Sequence, residues 1–288
     1  MVLKVALDTD IGDDIDDAFA IALACLSPEL DLVAVTTVYG DVKKRAILAA
    51  RLLRSLGKEN IPVACGASQP LLNPKPDKPP LYYFPSETDN RYTNIVSKHA
   101  VDLLEELVED EKIDAIISVG PLTNVALFYL KRPDLVNRVR LFSMCGAFFI
   151  NTSEYNIKCD PEAASIVLNA GFKKTLVGLD VTLKCSINQE MLNALRFSQK
   201  DYGKTLWSYT ETWMKQSGHL PILHDPLAVA VTFKPEIVET VKAHVKVETS
   251  GQFTRGYTTL TSGEPNAEIC KEVDVQSFME LISERLLS

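Results

Sequence analysis

The sequence predicts one α/β domain over residues 1–288, built on a mostly parallel, doubly wound sheet flanked by helices. Two observations predict this class. Over the first 180 residues, β-branched segments alternate with segments whose apolar residues recur at helical spacing, and such alternation favours parallel strands joined by right-handed crossovers. Hydrophobic residues make up 46% of the chain, enough for one large core, and no linker or repeat divides it.

The first elements follow from local patterns. Residues 5–7 are apolar and typical of the end of a buried strand, and the apolar run Ala18–Leu23 predicts a buried helix. The β-branched run Leu32–Val38 predicts the second strand. Apolar residues then recur at helical spacing over residues 46–53, and Gly57 ends this predicted helix.

The same alternation continues along the chain. Further strands are predicted at residues 61–65, 113–119, 139–145 and 175–179. Helices are predicted at residues 95–108, 124–130 and 163–169, where apolar residues lie three or four apart. After Asp180 the pattern is mainly helical, and it ends with a strand pair at 241–247 and 256–260 and a helix at 275–287.

One segment interrupts this alternation. Asn73–Arg91 contains five of the 15 prolines and the aromatic run 81–84, and it is too long for an ordinary connection. It is interpreted either as a mobile flap or as a packed excursion over the surface. Its aromatic residues could serve a lid or a contact between subunits.

Composition excludes several classes of protein. The formal net charge of −8 argues against binding to nucleic acid or to an anionic membrane. No apolar run is long enough to span a membrane, and the first residues show no signal-peptide pattern. The six cysteines are widely spaced without a CxxC pair, which predicts reduced thiols in a cytoplasmic protein rather than metal ligands.

The chain is organised around the acidic stretch Asp8–Ile21, in which six aspartates fall within ten residues. They are Asp8, Asp10, Asp13, Asp14, Asp16 and Asp17. Apolar segments on both sides place the stretch between a buried strand and a buried helix, so that the carboxylates cannot all scatter into solvent. Carboxylates held this close repel one another unless a cation neutralises them. The sequence therefore predicts an oxygen-ligand site for Ca²⁺ or Mg²⁺, with a solvated acidic loop as the alternative.

Two known acidic loops are compared with this one. An EF-hand requires glycine at its sixth position and glutamate at its twelfth, but counted from Asp8 these positions hold Asp13 and Phe19. Haloacid-dehalogenase-like phosphatases also open with Asp-x-Asp after the first strand, followed by Gly-Thr or Gly-Val. Here Ile11-Gly12 follows Asp10, so a phosphatase is kept only as a minor alternative.

Polar residues follow the end of almost every predicted strand. These groups are Asp8 and Asp10, Tyr39-Gly40-Asp41, Gly120–Asn124, Asn151 with Glu154-Tyr155-Asn156, and Asp180. Because the carboxyl ends of parallel strands meet at one edge of the sheet, we expect a site there. His224-Asp225-Pro226 opens a further helix, whose N-terminus favours an anion or a metal-bound carboxylate.

Taken in order, these motifs resemble the inosine–uridine-preferring nucleoside hydrolase family over essentially the whole chain. The matching segments are Asp8-Thr9-Asp10-Ile11-Gly12 with Asp16-Asp17-Ala18, then 36–40, 120–124, Glu154-Tyr155-Asn156 with 160–164, 177–180 and His224-Asp225-Pro226. The resemblance implies a cytoplasmic homodimer or homotetramer that acts on a small nucleoside. It implies hydrolysis of the N-glycosidic bond of ribonucleosides to ribose and free base.

The resemblance also implies a role for each site residue. The implied Ca²⁺ ligands are Asp10, Asp17, Asp225 and the main-chain carbonyl of Thr123, with Asp8 supporting them and Asp10 also taking a proton from the ion-bound water. The implied sugar contacts are Asp16, Asn156, Glu154, Asp225 and Met144, and His224 is placed near the leaving base. An acidic pocket would stabilise the oxocarbenium-like transition state.

The sequence departs from the family pattern at several positions. Two extra residues separate Gly12 from the Asp16-Asp17 pair, so Asp14 is an alternative metal ligand. Asp41 stands where the family usually has asparagine, which predicts a carboxylate near the ribose. Asn151 is matched by position with a ribose-binding asparagine.

The base-binding side is less defined by sequence. The family's His-Gly flap motif is not visible in Asn73–Arg91, which leaves the preferred base open. Trp213 is assigned to the core, with stacking on the base as the alternative. A metal-dependent hydrolase of another type and a non-catalytic nucleoside- or ribose-binding protein are the competing hypotheses.

Overall fold

A computed structural model describes residues 2–75, 79–86 and 92–287. The strands in these residues are β1 (Leu3–Thr9), β2 (Leu30–Thr37), β3 (Val63–Cys65), β4 (Ile95–Val96), β5 (Ala115–Ser118), β6 (Arg140–Met144), β7 (Lys173–Val177), β8 (Val238–Val247), β9 (Thr258–Thr261) and β10 (Ala267–Val273). They form one sheet in the order β4-β3-β2-β1-β5-β6-β7-β10-β8-β9. The pairings from β4 to β10 are parallel, and β8 pairs antiparallel with both β10 and β9.

Helices cover both faces of this sheet. They are α1 (Asp16–Leu26), α2 (Val42–Ser55), α3 (Ala100–Glu109), α4 (Thr123–Lys131), α5 (Tyr155–Cys159), α6 (Pro161–Asn169), α7 (Leu179–Thr182), α8 (Gln189–Arg196), α9 (Asp201–Ser217), α10 (His224–Phe233) and α11 (Val275–Ile282). The two faces carry separate apolar layers, because Val5 and Leu7 of β1 join one buried cluster and Ala6 joins the other. In the described residues, no helix is both long and apolar enough to cross a membrane.

The winding of the chain creates a crevice at β1 and β5. From β1 the chain moves outward through β2, β3 and β4, and from β5 it moves the opposite way through β6 and β7. Ligands of open α/β sheets bind beyond the carboxyl ends of the strands at such a switch point. The predicted α/β class with a mostly parallel, doubly wound sheet is confirmed.

Two predicted elements need correction. Residues 95–108 are not one helix, since Ile95–Val96 pairs with β3 and the helix starts at Ala100, where His99 Nδ1 accepts the N–H of Val101. The strand Ala267–Val273 was missed by sequence analysis, because charged residues interrupt its apolar pattern. It pairs with both β7 and β8, and so joins the predicted strand pair to the sheet.

The described part of the segment 73–91 packs against the acidic stretch. Tyr82 is 1% exposed and its ring lies 5.0 Å from the ring of Tyr209, centroid to centroid. The N–H of Leu81 donates to the carbonyl of Gly12 at 2.7 Å. Gly12 has φ +123°, and a Cβ there would lie 2.3 Å from Pro80, so only glycine fits. Residues 79–86 are thus a packed excursion, whereas 76–78 and 87–91 lie outside the described residues.

Candidate active site

A cavity of about 520 Å³ opens beyond the carboxyl ends of β1, β5 and β6. Its acidic wall consists of Asp10, Asp13, Asp14, Asp16, Asp17, Glu154 and Asp225. The rest of the wall consists of Pro79, Leu81, Val119, Met144, Ser153, Tyr155, Asn156, Leu179 and His224. The fold therefore brings most of the predicted site residues to one place.

Three buried carboxylates form the most compact group in this wall. Asp16 and Asp17 begin α1, Asp225 lies in the first turn of α10, and one oxygen of each lies within 4.8 Å of the others. The N–H of Asp225 donates to Asp16 Oδ2 at 3.0 Å. Burial, and then repulsion from neighbouring carboxylates, raises the pKa of each of the three well above its ordinary value. Such a group is strongly stabilised by a bound cation.

Asp8 and Asp10 lie at the end of β1. Asp8 Oδ1 accepts from Thr36 Oγ1 at 2.5 Å and from Asn124 Nδ2 at 2.8 Å. Asp8 Oδ2 is buried without a hydrogen-bond partner in the described part of the chain. Burial raises the pKa of both carboxyl groups to about 7. The Thr9 hydroxyl between them donates to Asp17 Oδ1 and so links β1 to α1.

The donor set fits a hard divalent cation. The compact group offers only carboxylate oxygens of buried residues, and Asp8 Oδ2 at the end of β1 is a further buried acceptor without a hydrogen-bond partner in the described residues. Ca²⁺ and Mg²⁺ prefer such oxygen ligands. Asp10 lines the same cavity outside the compact group.

Two further ligand candidates lie differently. Asp14 lines the cavity, but its Oδ1 accepts the N–H of Ile15 at 2.6 Å and it is not part of the compact group. Thr123 begins α4 and its hydroxyl donates to Asp160 Oδ2 at 2.7 Å, but it is not among the cavity-lining residues.

The opposite wall presents polar groups that are already oriented. Glu154 caps α5 and accepts the N–H groups of Asn156 at 2.6 Å and Ile157 at 2.9 Å, and burial raises its pKa to about 7. Asn156 Nδ2 donates to the carbonyls of Val119 at 2.9 Å and Met144 at 3.0 Å. Because both amide hydrogens are used, the Asn156 amide oxygen remains as the group available to a ligand.

His224 opens α10 and lines the cavity beside Asp225. Its Nδ1 lies 2.7 Å from Thr182 Oγ1. Burial lowers the pKa of His224 to about 4. The imidazole is therefore neutral at pH 7 and can offer a neutral N–H to a ligand.

Sequence analysis missed a buried arginine behind the acidic stretch. Arg45 is 1% exposed and its guanidinium donates to the main-chain carbonyls of Asp10, of Ile11 at 3.1 Å and of Tyr39 at 2.6 Å. It also pairs with Asp13 Oδ2 at 3.0 Å. A signal was available, because position 45 shares a helical face with the buried apolar positions 48, 49 and 52. A charged residue on such a face requires a buried partner.

Comparison with known proteins decides the family. Residues 5–280 match the family model described as inosine-uridine preferring nucleoside hydrolase. The chain belongs to this family. The family resemblance inferred from the sequence motifs is confirmed, and so is the prediction of an enzyme of the nucleoside hydrolase class. The phosphatase alternative receives no support from these matches.

Alignments with individual nucleoside hydrolases extend over nearly the whole chain. The pyrimidine-specific ribonucleoside hydrolase RihA of Escherichia coli O81 (strain ED1a) is 34% identical over 319 aligned residues, which cover 99% of each chain. Among solved structures, the plant nucleoside hydrolase PpNRh1 has a TM-score of 0.90 at 27% identity and covers 100% of both chains. A purine-preferring ribonucleoside hydrolase from Gardnerella vaginalis has a TM-score of 0.87 at 27% identity and covers 98% of both.

Like Asp8 and Thr123, three further sequence-predicted residues of this nucleoside hydrolase are not among the cavity-lining residues. Asp41 caps α2, where it accepts the N–H of Lys44 at 3.1 Å and pairs with Lys44 Nζ at 2.8 Å. Asn151 is exposed on the loop after β6. Asp180 accepts N–H groups from residues 148–150 and thereby holds that loop. Trp213 is buried in the apolar core, as predicted.

Proposed function

We propose that this protein hydrolyses the N-glycosidic bond of ribonucleosides in a Ca²⁺-dependent reaction that gives ribose and free base. One observation carries the proposal. A buried carboxylate cluster lines a cavity at the switch point of the sheet, in a chain of the nucleoside hydrolase family. An oxocarbenium-like transition state places positive charge on the sugar ring, which buried carboxylates stabilise.

Asp10, Asp17, Asp225 and the carbonyl of Thr123 would hold the ion, with Asp8 behind them. When bound, Ca²⁺ supplies Lewis-acid activation of the attacking water and an anchor for two sugar hydroxyls. The burial and the close approach of the Asp17 and Asp225 carboxylates in the compact group support these two ligands.

Asp10 would accept the proton of the attacking water. Its side chain lines the cavity next to the cluster, and Arg45 fixes its main-chain carbonyl. Because its main chain is held in place, the Asp10 carboxylate is available as a proton acceptor close to the cluster.

The remaining residues would orient the nucleoside. Asp16, Asp225, Glu154 and the Asn156 amide oxygen are acceptors for ribose hydroxyls, and Met144 offers an apolar contact to the ring. Pro79, Leu81 and Leu179 give the cavity an apolar part that suits a base, and His224 offers the polar group.

Release of free ribose from inosine and uridine tests the proposal. We expect turnover that is abolished by a chelator and restored by added Ca²⁺. We also expect 2′-deoxyinosine to be cleaved at least about 10-fold less efficiently than inosine, because a buried acceptor loses the 2′-hydroxyl as its partner. Nucleoside binding without ribose release would instead establish a non-catalytic binding protein. Phosphate release from a monoester would support another metal-dependent hydrolase.

We also propose a cytoplasmic homodimer or homotetramer. Six free cysteines suit a reducing compartment, and Leu81 and Phe84 expose apolar side chains on the packed excursion. Light scattering after size-exclusion chromatography measures the subunit number, and a purely monomeric species would contradict the assembly.

A first prediction separates the two ways of aligning the acidic stretch. Asp17→Ala should lose bound Ca²⁺, because it removes an oxygen from the compact group, whereas Asp14→Ala should retain it. Loss of one carboxylate ligand should weaken Ca²⁺ binding by about 10-fold or more. Calorimetric titration of metal-free protein measures both affinities. The reverse order of affinities would show that Asp14 is the ligand.

A further inference from the structure

The side chain of His224 is held by one neighbour. Its Nδ1 lies 2.7 Å from Thr182 Oγ1, and the described residues show no other hydrogen bond to the ring. Thr182 is completely buried in the last turn of α7. The contact therefore joins two short stretches that are far apart in sequence and meet at the cavity wall.

The environment of the Thr182 hydroxyl decides which group donates. The hydroxyls of Thr205, Thr210 and Thr212 donate to carbonyls of their own helix. In the described residues the Thr182 hydroxyl has no such bond, and Nδ1 of His224 is its one side-chain hydrogen-bond partner. A buried O–H without an acceptor is costly, so the hydroxyl donates to Nδ1. The ring proton is then on Nε2.

Both partners of this contact are anchored. Asp180 lies in α7, two residues before Thr182, and its carboxylate accepts the N–H groups of residues 148–150. These hydrogen bonds tie α7 to the loop that follows β6. On the other side, the N–H of Leu223 donates to the carbonyl of Cys185 at 2.8 Å just before α10 begins. The ring of His224 is thereby held in one orientation beside Asp225.

We propose that Thr182 is a positioning residue that fixes His224 as a neutral Nε2–H donor toward the departing base. This inference rests on the proposed function. As the glycosidic bond breaks, its electron pair passes to the base, and a hydrogen bond from Nε2–H stabilises the charge that develops there. The proton stays on the ring, as in sites where a neutral imidazole acts as the electrophile. The released base anion takes up a proton from solvent, and Asp10 returns to solvent the proton that it took from the attacking water.

The tautomer can be measured without any assay of activity. The chain has four histidines, and long-range ¹H–¹⁵N correlation spectra distinguish the two neutral tautomers of each, with His224→Gln assigning the signal. We expect the Nε2–H form in the wild type and in Thr182→Ser, and a mixture of tautomers in Thr182→Val. An Nδ1–H form in the wild type would overturn the proposal.

Leaving-group dependence tests the catalytic consequence. Thr182→Val should lower kcat/KM for inosine by roughly 10-fold to 100-fold, since it removes the hydrogen bond that orients the donor. It should change kcat/KM for p-nitrophenyl β-riboside less than about threefold, because that leaving group departs without help from a donor. Thr182→Ser should restore the inosine rate.

Matched controls separate positioning from packing. Thr210→Val removes another fully buried hydroxyl, which donates to Leu206, and should leave the ratio of the two substrates unchanged. In a His224→Ala background, Thr182→Val should add no further loss. Equal losses on both substrates, or additive losses in the double variant, would overturn the proposal. A wild type that cleaves neither substrate would refute the proposed function, while the spectra would still decide the tautomer.

Discussion

Asp10→Asn is expected to lower kcat by about 10²-fold to 10⁴-fold, the range for loss of a general base. The amide has nearly the shape of the carboxylate but cannot accept a proton at neutral pH. The main-chain carbonyl of Asp10 would still accept from the buried guanidinium of Arg45, so the loop should keep its course. The loss should therefore appear in kcat with the fold intact.

The measurement is single-turnover and steady-state ribose release at saturating Ca²⁺, so that weaker metal binding is separated from slower chemistry. Asp31→Asn is the matched control, since this exposed aspartate on β2 is remote from the cavity. A rate within a few-fold of wild type in folded, Ca²⁺-loaded Asp10→Asn would remove Asp10 from its role as base.

The acidic part of the site could be predicted because its information is local. Five of the cavity carboxylates lie within Asp10–Asp17, between a strand and a helix that the apolar pattern locates correctly. Asp225 was found for a similar reason, because His224-Asp225-Pro226 marks a helix start. The packing of α1 against α10 brings Asp225 next to Asp16 and Asp17, at the carboxyl ends of the parallel strands where α/β sheets place their sites.

Residues that act across long sequence separations were harder to predict. Arg45 contacts carbonyls 34 and 35 residues earlier in the chain, and Tyr82 Oη donates to the carbonyl of Asp14, 68 residues away. No periodicity specifies such pairs. A charged residue on an apolar helical face is a signal of burial, but it does not indicate the partner. The aromatic run was interpreted as a lid or a subunit contact, which does not indicate the partner of Tyr82 either.

Asp41 has a local structural role that the sequence prediction did not consider. It follows a strand end, as site residues do, but its carboxylate satisfies the N–H of Lys44 and pairs with the Lys44 ammonium group. An aspartate just before a helix is first of all an N-cap. A contact between Asp41 and the ribose stays a prediction, and the proposed function assigns the ribose hydroxyls to the buried acceptors in the cavity wall.

Arg45→Met is expected to destabilise the protein more than any other single change behind the acidic stretch. It keeps an unbranched side-chain stem but removes the guanidinium that donates to three main-chain carbonyls and pairs with the carboxylate of Asp13. Each buried main-chain carbonyl left without a donor costs about 1–3 kcal/mol, whereas the partly exposed Asp13 carboxylate loses less. A total of about 3–5 kcal/mol lowers Tm by roughly 10 °C for a chain of this size. Ribose release should also fall, because Asp10 and Asp17 lose the support that orders their loop.

Three variants make the interpretation specific. Arg54→Met is the control on the same helix, because its guanidinium is partly exposed and lies 3.9 Å from Glu59, a contact worth about 1 kcal/mol or less. Arg45→Lys keeps the charge but not the planar fork, so it should recover only part of the Tm. Asp13→Asn should cost less in Arg45→Met than in the wild type, since the two residues are coupled. If Arg45→Met matched Arg54→Met in both Tm and ribose release, the acidic loop would not depend on the buried guanidinium. The contacts of Thr9 and Tyr82 and the helix N-termini would then be what organises the site.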